Sequence, residues 1–286
     1  MNLVAVVLNW NGGEDTLRAL QSLTEIETIC VDNGSTDGSA EAIAERFPGV
    51  ELIRTGANLG FAGGNNVGIR RALARGADWV LLVNNDAAVE PGIAEALSAA
   101  AVARPDAGLL ACKILSEDGA TVQYAGASFN ARLGYSGRVA TSGTDELRDV
   151  GRIDGAGAAV SREAVTRAGL LDESLFLYVE DVDWSLRIRA AGFAVVFVPA
   201  ARVRHKGSAA SGGGASTTNL YYDARNTIVV AERYRPQAVR WPRRLVVVAA
   251  HLVQAAMHPS RGEAVRAVLE GWRDARAGRM GQRSSR

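Results

Sequence analysis

The first 84 residues alternate apolar runs with helical patterns, and this alternation limits the chain to a small set of folds. The apolar runs, rich in valine, isoleucine and leucine as buried strands are, cover residues 3–8, 26–31, 50–54 and 78–84. The helical spacing between them covers residues 13–23, 37–47 and 65–76. Because strands joined through helices pair in parallel with right-handed crossovers, the sequence predicts an α/β fold built on a mainly parallel sheet.

The pattern changes in the second half of the chain. Strand-like runs joined by turns are found at residues 108–115, 121–130, 132–139, 193–199 and 201–205. A helix is predicted at 180–192, a polar loop at 140–149, and a flexible Gly/Ser-rich segment at 206–217. Helical patterns alone follow, at 219–234, 240–257 and 261–277. We therefore expect the sheet to become mixed and the C-terminal region to be helical.

Composition argues against several classes of protein. Hydrophobic residues make up 48% of the 286 residues and charged residues 22%, which is typical of a globular protein. The formal net charge is +1, so no overall field favours nucleic acid as a partner. No apolar run reaches the length of about 20 residues that a membrane-spanning helix needs, and the N-terminus lacks the pattern of a signal peptide. We therefore expect a cytoplasmic protein in which Cys30 and Cys112 are buried thiols rather than a disulfide.

Polar residues follow three of the predicted parallel strands at the point where each strand ends. Asn9 and Asn11 follow the first strand, Asp32 the second, and the Asn-Asn-Asp segment 84–86 the fourth. Any one of these groups alone would be typical of a turn or a helix N-cap. Since ligands of such sheets bind outside the carboxyl ends of the strands, three groups on one edge predict a polar binding crevice.

A divalent metal ion is one ligand that this crevice could hold. Asp86 offers carboxylate oxygens of the kind that Mg²⁺ and Mn²⁺ bind together with phosphates and water. His205, at the end of a late strand, could add a nitrogen ligand, which favours manganese, although a single histidine is more often structural. The sequence has neither a G-x-G-x-x-G motif after a strand nor a Walker loop, so dinucleotide and P-loop binding are disfavoured.

A second group of acidic residues opens the predicted helix at 180–192. Glu180, Asp181 and Asp183 stand where the helix dipole favours negative charge, which by itself explains one or two of them. Three carboxylates this close repel one another unless a cation, a hydroxyl group or a raised pKa relieves them. This crowding makes the group a candidate for a general base.

Seven segments, spread in order over residues 3–230, give the chain a resemblance to a known family. They are VVLNWNG (6–12), VDNGSTDGS (31–39), NLGFAGGNNVGI (58–69), LLVNNDAAVEPG (81–92), FLYVEDVDWSLRIRAAGF (176–193), RHKGS (204–208) and YYDARN (221–226). In these segments the chain resembles the family 2 glycosyltransferases, and it is most similar to their bacterial rhamnosyltransferase-like branch.

The resemblance implies the GT-A fold. This fold is α/β, with a mainly parallel nucleotide-binding sheet that continues into a mixed acceptor-side sheet, followed here by C-terminal helices. It implies a catalytic domain over 1–217, with a nucleotide-sugar half at about 1–107 and an acceptor half at 108–217. The helical region would then cover 218–286.

The resemblance also assigns roles to individual residues. The positions that it places on the nucleotide-sugar are Asn9, Asn11, Asp32, Asn58, Phe61, Asn65, Asn66, Asn84, Asn85, Lys206, Tyr222 and Arg225. It makes Asp86 and His205 the ligands of a manganese or magnesium ion. It makes Asp181 the catalytic base, with Glu180 beside it.

Two features depart from the family pattern. The connection between Leu23 and Ile26 is shorter than these enzymes usually show, at a point away from the predicted crevice. Asn84 stands where many relatives have a first acid, which leaves the ligand set of the metal less well defined.

The reaction implied by the resemblance is inverting, metal-dependent transfer of L-rhamnose from dTDP-rhamnose to a hydroxyl group of a cell-surface glycan or a lipid-linked acceptor. Two alternatives stay open. One is a UDP-linked donor that carries galactofuranose, another hexose or an N-acetylhexosamine, and the other is an inactive scaffold that binds nucleotide-sugar. The segment 206–217 is expected to close over the donor, or else to be a linker.

A basic, aromatic segment at 233–244 precedes the apolar run at 245–257. Such a segment can lie on an anionic surface, which would place the protein at the cytoplasmic face of the inner membrane. The alternative is a helix that packs on the catalytic domain or in a homodimer interface.

Overall fold

The computed structural model describes residues 1–130, 135–138, 145–207, 216–234 and 240–283. Parts of the strand predicted at 132–139, the polar loop at 140–149 and the flexible segment at 206–217 lie outside these residues. Within them the chain forms one sheet of ten strands and a separate two-stranded pair.

The N-terminal part of the sheet is parallel, as predicted. Its strands are β1 (Leu3–Asn9), β2 (Glu27–Asp32), β3 (Glu51–Arg54) and β4 (Trp79–Asn84). They lie side by side in the order β4, β1, β2, β3. The helices between them are α1 (Gly13–Ser22), α2 (Ser39–Arg46) and α3 (Gly60–Ala74). The valine, isoleucine and leucine side chains of β1, β2 and β4 are almost all buried, which is why these runs form strands.

Helix α3 begins at Gly60 rather than at residue 65, where the sequence pattern predicted its start. Gly60 has a φ of +75°, and a Cβ built there would lie 2.4 Å from the carbonyl oxygen of Phe176. Only glycine fits a backbone position that is both left-handed and this crowded. The earlier start places Asn65 and Asn66 in the second turn of the helix instead of at its first residues.

The second half of the chain makes the sheet mixed, as predicted. Its strands are β5 (Ala87–Val89), β6 (Ala107–Ser116), β7 (Val122–Tyr124), β8 (Ala127–Asn130), β9 (Tyr135–Arg138), β10 (Arg148–Asp149), β11 (Gly157–Ser161) and β12 (Ala194–His205). Its helices are α4 (Ile93–Ala103), α5 (Arg162–Ala168) and α6 (Glu180–Ala190). Strand β11 lies antiparallel between β4 and β6, and β12 runs parallel to β6. Cys30 of β2 and Cys112 of β6 are buried free thiols, as predicted.

Several strand predictions in this half are corrected. The strands predicted at 193–199 and 201–205 are one strand, β12, whose register shifts between Val198 and Arg202. Pro199 falls in that irregular stretch, where its missing N–H is tolerated. The run at 121–130 is two strands, separated near Gly126, whose φ is +102°. Strands β5 and β11 were missed because one is only three residues long and the other is rich in glycine and alanine.

The C-terminal region is helical, as predicted, with α7 (Thr217–Arg233), α8 (Arg240–Ala256) and α9 (Arg261–Arg276). The contact between α7 and α9 is apolar and includes Leu220, Ala224, Ala264 and Val268. Val230 of α7 also packs with Leu175 and Val179, which lie just ahead of α6. No helix in the described part of the chain is long and apolar enough to cross a membrane.

Candidate active site

The polar residues that end β1, β2 and β4 meet at one edge of the sheet. Strand pairing places Asn9 opposite Asp32 and Leu8 opposite Asn84. Asn9 is fully buried, and its amide donates to Asp32 Oδ1 at 2.9 Å and to Ser39 Oγ at 2.8 Å. Asn9 is therefore occupied by protein partners and orients the carboxylate of Asp32.

Asn11 joins the loops that follow β1 and β2. Its φ is +50°, a conformation that asparagine tolerates better than most residues. Its backbone N–H donates to Ser35 Oγ at 2.9 Å, and its side-chain oxygen accepts a hydrogen bond from the N–H of Thr36 at 2.8 Å. These bonds hold the exposed Asn11 at the same edge as Asp32.

Asn33, next to Asp32, belongs to the polar group that follows the second predicted strand, but no role of its own was predicted for it. It is 2% exposed, and its amide donates to Asn58 Oδ1 and to the carbonyl of Gly60, each at 3.1 Å. Its side-chain oxygen accepts from the N–H of Leu59 at 3.0 Å. Asn33 thereby fixes the loop ahead of α3 against the end of β2. The sequence feature that could have identified Asn33 is its position at the end of a predicted strand, where a buried amide needs hydrogen-bond partners.

Asn65 and Asn66, predicted to contact nucleotide and sugar, have other partners. Both are buried within α3. Asn65 donates to the carbonyl of Phe61 at 3.0 Å, while Asn66 donates to the carbonyl of Leu171 at 2.9 Å and accepts from its N–H at 3.1 Å. These amides join α3 to itself and to the segment ahead of α6, and their contact with nucleotide and sugar stays a prediction. Phe61 is only partly buried, and its ring lies against Gly155.

Asp86 and His205, the predicted metal ligands, form a close pair. Strand β5 pairs with β12 so that His205 lies opposite Ala87, and His205 Nε2 is 3.1 Å from Asp86 Oδ1. Their side chains are 16% and 8% exposed, respectively. Burial lowers the pKa of His205, but the hydrogen bond to Asp86 and its charge outweigh burial, so the pKa is raised overall.

The neighbours of this pair lie on the same edge of the sheet. Asn84 ends β4, and Asn85 follows it in the turn that leads to β5. The backbone N–H of Lys206 donates to the carbonyl of Asp86 at 3.1 Å. The ammonium group of Lys206 lies 3.2 Å from the carboxylate of Asp15, and its side chain is 40% exposed. An ion pair this exposed contributes little to stability, so the ammonium group of Lys206 can leave Asp15 at a small cost in free energy.

The residues of the Asp86–His205 pair fit a divalent metal ion that draws further ligands from outside the protein. A carboxylate and an imidazole together suit manganese, whereas magnesium prefers oxygen ligands alone. In the described ranges, no group of three or more His, Cys, Asp or Glu side chains could hold a metal ion. The pair therefore suits an ion whose coordination is completed by phosphate oxygens and water.

Asp181 lies in the first turn of α6, beside a guanidinium group. Its Oδ2 is 3.3 Å from Arg152 Nη1, and its Oδ1 accepts from the N–H of Val182 at 2.8 Å. Burial raises the pKa of Asp181, although the positive charge of Arg152 opposes the rise. A carboxylate whose pKa is moved toward neutrality is better suited to general base catalysis than an exposed aspartate.

The other two acids of this helix differ in their surroundings. Glu180 is 5% exposed, and its Oε2 has no hydrogen-bond partner among the residues that the structure describes. Burial, and then the charge of Asp181, raise the pKa of Glu180. Asp183 is fully buried and forms ion pairs with Arg187 at 2.7 Å and Arg233 at 3.0 Å. Asp183 is therefore structural, whereas Glu180 Oε2 has no hydrogen-bond partner among the described residues.

Asp154, which precedes β11, is a residue that the sequence reasoning missed. Its Oδ1 accepts from the N–H of Ala156 at 3.0 Å. Beyond the larger effects of burial and of nearer partners, its charge raises the pKa values of Glu180, Asp181 and His205. Asp154 therefore lies close to both the Asp86–His205 pair and Asp181. Its signal in the sequence was an acid at the start of a buried, glycine-rich segment.

The backbone just ahead of Asp181 is strained. Phe176, Tyr178 and Val179 have φ values of +65°, +66° and +70°. Residues of this size in the left-handed region cost on the order of 1–3 kcal/mol each and persist only where neighbouring contacts hold them.

Asn226 of α7 supplies such contacts, and the sequence reasoning missed it as well. Its side-chain amide donates to the carbonyls of Leu175 and Leu177 at 2.9 Å and of Tyr178 at 2.8 Å. Asn226 is fully buried. One asparagine thus ties the strained segment to the C-terminal helices. The sequence feature that could have identified Asn226 is its position in the YYDARN segment.

Arg225 and Tyr222, predicted to contact the diphosphate or the acceptor, are engaged inside the protein instead. Arg225 is 1% exposed and donates to the carbonyls of Leu175 at 2.9 Å and Gly281 at 2.7 Å. Tyr222 is 2% exposed and stacks on Phe176, with ring centroids 5.4 Å apart. Both side chains are buried against the segment ahead of α6 and support it, and their contact with the diphosphate or the acceptor stays a prediction.

A family model described as "Glycosyltransferase like family 2" matches residues 2–226. The chain belongs to this family. An N-acetylglucosaminyl-diphospho-decaprenol L-rhamnosyltransferase of Mycobacterium tuberculosis is 31% identical over 262 residues, which cover 81% of this chain and 85% of that protein. The dTDP-rhamnosyl transferase RfbF of Shigella flexneri is 26% identical over 210 residues, which cover 71% and 69%. The predicted family resemblance is confirmed.

Solved structures show that this glycosyltransferase has the GT-A fold. The structure of GalNAc-T7 with UDP, GalNAc and Mn²⁺ matches it with a TM-score of 0.66 at 16% identity, over 96% of this chain and 54% of that chain. The mannosyltransferase PcManGT from Pyrobaculum calidifontis, in complex with GDP-Man and Mn²⁺, matches with a TM-score of 0.56 at 16% identity, over 97% and 86%. At such identities the likeness concerns the fold, and it confirms the predicted α/β class.

Proposed function

We propose that this glycosyltransferase moves L-rhamnose from dTDP-rhamnose to a hydroxyl group of a lipid-linked or cell-surface glycan acceptor, with inversion at the anomeric carbon. The names of both curated relatives give rhamnose as the transferred sugar. One of the names gives dTDP as the nucleotide, and the other gives an acceptor linked to decaprenol. A lipid-linked acceptor would place the reaction at the cytoplasmic face of the inner membrane.

The observation that supports this chemistry most strongly is the pairing of one candidate base with one candidate metal site. Asp181 is half-buried beside Arg152, and the Asp86–His205 pair is half-buried at the neighbouring strand ends. Asp154 is close enough for its charge to act on both Asp181 and His205. A single base opposite a leaving diphosphate is the arrangement that a one-step, inverting displacement requires.

In the proposed step, Asp181 accepts the proton of the acceptor hydroxyl while the hydroxyl oxygen attacks the anomeric carbon. The bond from that carbon to the diphosphate breaks, and dTDP leaves with the bonding electrons. Because the attack comes from the face opposite the leaving group, the configuration inverts. A manganese or magnesium ion bound by Asp86 and His205 would stabilise the negative charge that develops on the diphosphate.

Other residues of the crevice would bind and orient the two substrates. Asp32, held in place by Asn9, would accept a hydrogen bond from the nucleotide base. Lys206 would place a positive charge near the diphosphate. Glu180, whose Oε2 lacks a partner among the described residues, would donate a hydrogen bond to the acceptor when protonated.

The test is a calorimetric titration of the purified protein with dTDP, UDP and GDP, each with and without manganese. We expect dTDP to bind most tightly and in a manganese-dependent way, followed by transfer in an assay with dTDP-rhamnose. A preference for UDP would contradict the rhamnosyl proposal and favour a UDP-linked hexose, galactofuranose or N-acetylhexosamine. Nucleotide binding without transfer from any of these donors would favour an inactive scaffold.

A further inference from the structure

Helix α8 has two apolar faces, and the described structure covers only one of them. The covered face packs against α7 and α9 and includes Val247, Val248 and Ala255. The opposite face, here named the α8 stripe, consists of Leu245, Val246, Ala249, Ala250, Val253 and Met257, all of which are exposed. Val246, Val253 and Met257 are 56%, 64% and 80% exposed. Because these positions recur at helical spacing, they form one continuous strip along the helix.

An outward-facing strip of this kind is unusual on a globular protein. A surface helix normally turns charged or polar residues to solvent. Nine large hydrophobic side chains are exposed in the described part of the chain, and four of them belong to the α8 stripe. Val102 on α4, which is 81% exposed, is by contrast an isolated case. Contiguous exposed apolar side chains mark an interaction surface, whereas scattered ones do not.

The sequence around the α8 stripe is strongly basic, which narrows the choice of partner. No aspartate or glutamate occurs between residues 233 and 262. The arginines that precede, open or follow the helix in this region are Arg235, Arg240, Arg243, Arg244 and Arg261. A second copy of the chain would bring the same arginines to the contact and no carboxylates to pair with them. An anionic lipid surface offers both an apolar phase for the stripe and negative charge for the arginines.

We propose that the α8 stripe docks this protein on an anionic lipid surface. The helix lies along the surface, with Val246, Val253 and Met257 in the boundary between headgroups and acyl chains. The sequence at the start of the helix supplies the positive charge that attracts anionic headgroups, and it includes Trp241 among its arginines, as the sequences of interfacial helices do. The inference rests on this surface alone and does not depend on which sugar the enzyme transfers.

The experiment is co-sedimentation of the full chain with vesicles of phosphatidylglycerol or of phosphatidylcholine, without nucleotide, metal or acceptor. We expect binding to phosphatidylglycerol that weakens with added salt, and weaker binding to phosphatidylcholine. The double variant Val246→Glu/Val253→Glu should lower the affinity for phosphatidylglycerol by about tenfold or more, because it removes two inserted side chains and adds negative charge. Val102→Glu, matched in exposure and chemistry but located on α4, should bind as the wild type does.

Two results would overturn the proposal. One is a wild-type protein that does not sediment with phosphatidylglycerol, and the other is a double variant that sediments as well as the wild type. Sedimentation velocity without vesicles would show a third such result. If the wild type is a dimer, the double variant is a monomer and neither binds vesicles, the α8 stripe contacts a second copy of the chain. Since no nucleotide is present, failure of dTDP to bind would overturn the proposed function and leave this inference standing.

Discussion

Asp32 and Asp181 are both carboxylates of the candidate active site, one buried and one half-buried, and the protein holds them in different ways. Asp32 ends a strand, and its orienting partner Asn9 ends the strand beside it, so ordinary parallel pairing brings the two together. Asp181 opens a helix behind a strained segment that Asn226, 48 to 51 residues later in the chain, holds by hydrogen bonds. The surroundings of Asp32, here called the donor side, are thus fixed by the sheet. The segment ahead of Asp181, here called the base side, is fixed by a distant helix.

Because the two sides are held differently, we expect them to serve different steps of the reaction. A rigid sheet edge presents preformed groups to the nucleotide, as in other doubly wound sheets. The segment ahead of Asp181 is held by Asn226 of α7, while α6 itself packs on the sheet core through Trp184 and Ile188. We therefore expect substitutions on the donor side to act on nucleotide binding and substitutions on the base side to act on turnover.

The largest effect should come from Asp181→Asn. This variant keeps the shape of the side chain but removes the proton acceptor, and general base catalysis is typically worth about 10²- to 10⁴-fold. We expect the turnover number with dTDP-rhamnose to fall by that factor while dTDP affinity is unchanged. Turnover close to that of the wild type would remove Asp181 from the mechanism.

Asn226→Ala should have the next largest effect, although Asn226 lies on a different helix from the base. Three carbonyls lose their common donor, and small displacements of a catalytic group can lower rates by about 100-fold. We expect kcat to fall by about 10- to 100-fold with little change in dTDP affinity.

The control for this variant is Thr218→Ala, at an exposed position on the same helix. It should leave both quantities unchanged. If Asn226→Ala lowers only the melting temperature and not kcat, the contact between α7 and the strained segment has no role in placing the base.

Arg152→Gln should shift the pH dependence of the reaction. The positive charge of Arg152 favours the ionised form of Asp181, so its removal raises the pKa of that carboxyl further. Because the base acts when it is ionised, the acid limb of the kcat/KM profile should move to higher pH, with activity lost first at low pH. Arg189→Gln, an exposed change on α6, should leave the limb in place. If the acid limb of the Arg152→Gln profile is unchanged or moves to lower pH, Asp181 is not the base whose ionisation sets that limb.

Lys206→Ala should have the smallest effect. The side chain is 40% exposed and already paired with Asp15, so its charge is well screened by solvent. We expect KM for the donor to rise only about two- to fivefold, with Lys206→Arg restoring it. A loss of turnover as large as that of Asp181→Asn would mean that Lys206 acts directly on the leaving group.

The sequence was sufficient to predict which residues meet at the sheet edge because the signals for this edge are local. Buried parallel strands appear as continuous apolar runs, and the polar residues at their ends must share one edge once the strands are parallel. Asp32, Asp86 and the ends of β1, β2 and β4 follow from this rule alone. His205 was placed correctly beside Asp86 even though it comes from a strand far along the chain.

The base side could not be predicted to the same depth because its contacts are long-range. No local pattern shows that Asn226 bonds to three carbonyls ahead of α6, or that Arg152 faces Asp181. Arg225 was predicted to contact the diphosphate because arginine often binds anions. Its burial against Leu175 depends on how α7 packs, which the local sequence does not show. The early start of α3 was missed for a similar reason, since the left-handed Gly60 is required only by the approach of Phe176.

The division between the two sides is tested most directly by titrating dTDP, with and without manganese, into the wild type, Asp86→Asn and Asp181→Asn. We predict manganese-dependent binding by the wild type and by Asp181→Asn with equal affinity. Asp86→Asn should bind about tenfold more weakly or worse and lose its dependence on manganese, because one of two protein ligands of the ion is weakened. Equal affinities in all three proteins, or a loss in Asp181→Asn as large as in Asp86→Asn, would contradict the account.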